Sequence, residues 1–89
     1  MLVASHIKPW RVATDLERLD PYNGLLLIPN LDKAFDSGLI SFDDKGKILI
    51  SNALSDPEKL GINTDLKVSL HSENKEYLSY HRENVFRRT

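Results

Sequence analysis

The chain has 89 residues, 40% of them hydrophobic and 28% charged, and a formal net charge of −1. One small domain fits in that length, at a size where burial barely offsets chain entropy, so a metal ion, a partner domain or a dimer interface would add stability. Lack of cysteine excludes a disulfide framework and a thiolate metal site, and near-neutral charge disfavours a strongly basic nucleic-acid binder working alone. Met1 to Ala4 lack the basic start of a signal peptide, and no stretch approaches the length of a membrane span. A cytoplasmic protein without a membrane anchor is expected.

Leu2 to Ile7 reads as a short strand that Pro9 ends, because proline cannot donate to a ladder. A helical turn follows over Ala13 to Leu19, begun by Thr14 with Glu17 in capping-box position. Asp20-Pro21-Tyr22-Asn23-Gly24 is a bend, and the apolar run Leu25 to Ile28 is a buried strand. Asn30 is expected to cap a helix from Leu31 to Ser37, with Gly38 ending it in the left-handed region. Leu39–Phe42 and Lys47–Ile50 flank Asp43-Asp44-Lys45-Gly46 as a hairpin. Pro57 starts a helical turn that Gly61 stops. Ser72 is expected to cap a last helix, running to 88, with Tyr77, Leu78, His81 and Val85 on one face. The fold class is α+β, with a core motif over 2–38, a hairpin over 39–51 and the helix over 72–88, in a single domain spanning 1–89.

Three polar residues, His6, Asn23 and Asp32, stand in apolar settings within a short span. Hydrolysis of a phosphodiester needs a base to activate water and a cation to neutralise charge on the phosphate. Ala4-Ser5-His6-Ile7-Lys8-Pro9-Trp10, Asn23-Gly24-Leu25 and Leu31-Asp32-Lys33-Ala34-Phe35-Asp36-Ser37-Gly38 resemble the HNH endonucleases of the ββα-metal fold, in the branch found at the ends of restriction-type proteins. The resemblance is dense from Leu2 to Gly38 and looser to Phe86. It implies a metal-dependent DNA endonuclease domain, placed towards the C-terminus of a longer protein whose N-terminal domain is missing here. By the same resemblance His6 is the general base, and Asn23 either orients the His6 ring or approaches the metal. Asp32 stands where the family often has a histidine ligand, and Asp36 lies one helical turn further on the same face. The pair would hold Mg²⁺ or Mn²⁺ rather than Zn²⁺, given their hard oxygen donors. Where many HNH proteins carry an acidic ligand before the catalytic histidine, this chain has Ser5.

Each of these residues also has a plain structural reading. Asn23 before Gly24 is a good turn residue, Asp32 in a first helical turn suits the helix dipole, and Asp36 can cap backbone or pair with an arginine. Lys8, Arg11 and Arg18 are the candidate phosphate contacts, although Arg18 can instead pair with Asp15 or Asp20. Trp10 is expected to fill the core, His81 to donate to a backbone oxygen, and Arg87 and Arg88 to form a solvated terminus. The partner is DNA, with room for a homodimer. The alternative to an active nuclease is a weak or inactive nucleic-acid-binding or scaffold fragment of a larger enzyme.

Overall fold

The computed structural model describes residues 1–87. Arg88, the expected last helical residue, lies outside them. Strand β1 (Val3–His6) pairs antiparallel with β2 (Gly24–Leu27), Val3 opposite Leu27 and His6 opposite Gly24. The connection holds helix α1 (Asp15–Leu19), whose capping box forms with both reciprocal bonds between Thr14 and Glu17. Helix α2 (Pro29–Asp36) packs against this hairpin, then β3 (Ile40–Phe42) and β4 (Ile48–Ile50) make a second one. A short 3-10 turn over Pro57–Leu60 and helix α3 (Asn74–Asn84) complete the chain. Among the described residues no helix is long and apolar enough to cross a membrane.

Side-chain alternation decides which face of the first hairpin is covered. Ser5, Ile7, Leu25 and Leu27 point inward while Ala4, His6 and Leu26 point out. Helix α2 meets the inner face with Leu31, Ala34 and Phe35, spaced to fall on one stripe. Ile40, Phe42, Ile48, Ile62 and Leu78 extend this into one continuous core.

Two expected caps are displaced. Helix α2 begins two residues before Leu31, with Ile28 as its cap residue and Pro29 at the first position, where a fixed φ and a missing N–H suit a helix start. Ser72 does not cap α3. Its hydroxyl donates to Glu73, and the Asn74 amide organises this end by accepting the His71 N–H and donating to the Tyr22 carbonyl. The last helix also stops at Asn84. One pairing has no sequence counterpart: residues 66–68 run beside β4, with Ile48 N–H bonded to the Leu66 carbonyl and Val68 N–H to that of Gly46.

The end of α2 is closed as expected. Gly38 has φ 79, and the N–H groups of Leu39 and Gly38 return to the carbonyls of Ala34 and Phe35, the pairing of a Schellman motif. Arg87 is solvent-exposed as expected but also pinned, because its backbone N–H donates to the Gly38 carbonyl and its Nε to that of Ser37.

His81 joins three elements. It is 1% exposed, its ring stacks on Phe35 at 3.8 Å, Nε2–H donates to the Phe35 carbonyl at 2.8 Å, and Nδ1 accepts from the Ser41 hydroxyl at 2.8 Å. That set of partners suits the neutral ring, and burial pushes its pKa down to about 4, with the Arg82 charge acting in the same direction. Unfolded chains therefore bind a proton that the folded one refuses. Stability linked to His81 is full above about pH 6.5 and is lost as pH falls towards 4, by up to about 3 kcal/mol. Urea denaturation across that window should show the loss, and His81→Gln, less stable throughout, should flatten the slope.

Candidate functional site

Pro9 releases the chain from β1 just after His6, and the released segment is fastened by one residue. The Asn23 carbonyl accepts the Ile7 N–H at 3.2 Å, its Oδ1 accepts the Lys8 N–H at 2.7 Å, and its Nδ2 donates to the Glu17 carbonyl at 3.1 Å. Asn23 is 1% exposed. Both ends of the amide are thus committed to backbone, and neither the expected hydrogen bond to the His6 ring nor an approach to a metal is among its contacts. Its effect on His6 runs through the main chain, which it holds on either side of the bend.

His6 itself is open to solvent on the outer face of the hairpin. Its ring meets Trp10 edge to face, centroids 5.5 Å apart and planes at 70°. Along the free side of β1 runs a cavity of about 430 Å³, lined by Val3, Ala4, Ser5, His6, Pro9, Trp10, Arg11, Asp32 and Asp36. The hairpin contributes the imidazole and α2 contributes both carboxylates.

The carboxylates differ in their surroundings. Asp32 accepts a short hydrogen bond from the Ser5 hydroxyl, a contact made possible by the inward turn of Ser5 on β1. Asp36 has its pKa raised, first by desolvation and then by the negative charge of Asp32, while His6 pulls the other way. His6, Asp32 and Asp36 therefore share one electrostatic environment.

The expected cations separate. Lys8 faces away, its Nζ held at 2.9 Å by both Glu17 oxygens and lying 4.9 Å from the centre of the Tyr80 ring. This half-buried, paired ammonium is not on the cavity wall. Arg18 sits 4.5 Å over the Trp10 ring, donates to the Trp10 carbonyl at 2.9 Å and reaches Asp15 at 3.4 Å. It organises the wall of the site from behind. Arg11 alone of the three lines the cavity.

Trp10 and Ser5 were misjudged by sequence reasoning. Trp10 is 55% exposed rather than core-filling, since the turn after Pro9 carries it outward. Ser5 is a partner of Asp32 rather than a mere gap in a ligand set. Strict alternation from buried Ile7 would have placed Ser5 on the helix side of β1.

Among the described residues no three His, Asp or Glu side chains converge closely enough to hold a metal ion by themselves. Asp32 and Asp36 nevertheless suit a hard divalent cation: both are oxygen donors on one cavity wall, and their mutual repulsion is the kind that a counter-ion relieves. Such ions commonly keep several waters and need few protein ligands.

An antiparallel hairpin crossed by a helix, with an imidazole at the strand end and acidic side chains on the helix, is consistent with an HNH-like α+β fold. Residues 1–43 match the family model described as HNH endonuclease. The matched segment runs from β1 through β3 and, with its connecting loops, contains every residue that lines the cavity. Comparison with curated proteins finds no match. The family points to nuclease chemistry in general.

Asn23→Ala strands the Lys8 N–H and the Glu17 carbonyl, so it should cost about 1–3 kcal/mol in urea denaturation. Asp32→Asn removes one of the two causes that raise Asp36, so the Asp36 carboxyl should titrate at lower pH by ¹³C NMR. An unmoved titration would show that the two acids do not interact.

Proposed function

We propose that this chain is a metal-dependent DNA endonuclease domain of the HNH, restriction-associated type. His6 takes the proton from the attacking water, Arg11 pairs with the phosphate, and Asp32 and Asp36 hold a Mg²⁺ or Mn²⁺ ion. The observation that carries the reading is the common cavity of His6, Arg11, Asp32 and Asp36.

Imidazole is the side chain best able to accept a proton near neutral pH, and this one is solvent-open on a strand end. A divalent ion, when bound, offsets charge on the phosphate and the leaving oxygen. Ser5 holds one oxygen of Asp32 and so limits the orientations of that carboxylate. Asn23 holds the backbone around His6 and acts as a positioning residue. The family's substrate is DNA. With Arg11 the one cation among the described residues lining the cavity and a net charge of −1, nonspecific affinity from this domain should be low. A longer protein with a further DNA-binding domain, in the cytoplasm, suits that weakness and the absence of cysteine.

One observation favours the second reading, a weak or inactive relative: no three ligands converge among the described residues. Adding Mg²⁺ or Mn²⁺ and following both cleavage and thermal stability separates the two. Supercoiled plasmid should be nicked in Mg²⁺ or Mn²⁺, with His6→Ala reducing the rate at least about 100-fold at unchanged fold. The ion should also raise the melting temperature of the intact chain, and Asp32→Asn with Asp36→Asn should abolish that rise. Undiminished cleavage by His6→Ala removes the proposed base. Neither nicking nor a thermal shift leaves the scaffold reading.

A further inference from the structure

Trp10 is the chain's sole tryptophan, and more than half of it is open to solvent. An aromatic of that size contributes little to the core when so exposed, yet it is held firmly. Arg18 donates to its carbonyl and covers its ring at 4.5 Å, and His6 abuts it at 5.5 Å. The turn beneath is closed by the N–H groups of Val12 and Ala13, both bonded to the Pro9 carbonyl. The open part of the ring lines the same cavity as His6 and Arg11.

From these observations we infer that Trp10 is a stacking platform for a nucleobase of single-stranded DNA, beside the phosphate that occupies the cavity. This deepens the nuclease reading and rests on it. A phosphate beside His6 and Arg11 places its own nucleoside within a ring's breadth of Trp10, because the two rings of the protein already touch. Every base has a π face, so the platform reads no sequence, and Arg18 behind the indole adds cation character to the stack. In duplex DNA both faces of each base are occupied, and stacking on Trp10 first requires the base to leave the helix. Frayed ends, gaps and single strands are consequently the preferred ligands.

A lone tryptophan reports its own occupancy. Titrating a labelled thymidine-containing single strand into the intact chain in EDTA, without cleavage, should quench indole fluorescence in step with the rise in label anisotropy. An abasic strand of equal length should bind more weakly and quench little, and a blunt duplex likewise. Trp10→Ala should weaken single-strand binding roughly 5- to 100-fold while Trp10→Phe restores most of it, the pattern of a lost and regained stack; circular dichroism checks that both variants fold. Binding without quenching, or equal quenching by the abasic strand, overturns the platform and leaves the nuclease reading standing if plasmid is still nicked in Mg²⁺. Absence of both binding and nicking overturns the two together.

Discussion

The contact on which the architecture turns is the buried imidazole of His81. It stacks on Phe35, donates to the Phe35 carbonyl and accepts from Ser41, so α3, α2 and β3 are joined at one ring. Its partners fit one neutral tautomer, and a hydrogen-bonded polar group in the core restricts the ways in which those elements can meet. Since α2 carries Asp32 and Asp36, a residue outside the family-matched segment sets where the acids of the site stand. The tail strengthens this through Arg87, which closes over Ser37 and Gly38.

A second polar residue does the same work for the other half of the site. Asn23 ties the chain on both sides of the bend after His6, and Asn74 ties the Asp20–Gly24 bend, in which Asn23 itself lies, to α3 through the Tyr22 carbonyl. Neither amide touches the cavity. The cavity is lined largely by side chains that look outward, and their positions are maintained by side chains that look inward. This division explains how a marginal core can still present a defined cleft: its few buried polar groups are each placed at a junction between elements.

Local signals were legible wherever one stretch of chain decides its own conformation. The capping box of Thr14 and Glu17, the left-handed Gly38 and Gly46, and the hairpin around Asp43 to Gly46 all formed as the residues imply. The start of α2 was misplaced because proline at the first helical position competes with asparagine as a cap, and a fixed φ prevailed. The pairing of Lys8 with Glu17 and its approach to Tyr80 span separations that no local rule reaches. Trp10 read as core because hydrophobicity says nothing of the direction in which a turn projects a side chain.

By itself the sequence determined most of the elements, the exclusion of thiolate chemistry and the motif that resembles HNH endonucleases, since each follows from short-range backbone preferences or residue identity. Tertiary structure decided which polar groups face the cleft. It put His6, Arg11, Asp32 and Asp36 around one cavity, turned Lys8 and the Asn23 amide away from it, and exposed the Trp10 ring beside it. The reason is geometric: a charge or an amide takes the partner that packing brings near, and that partner is set by how strands and helices cross rather than by distance along the chain.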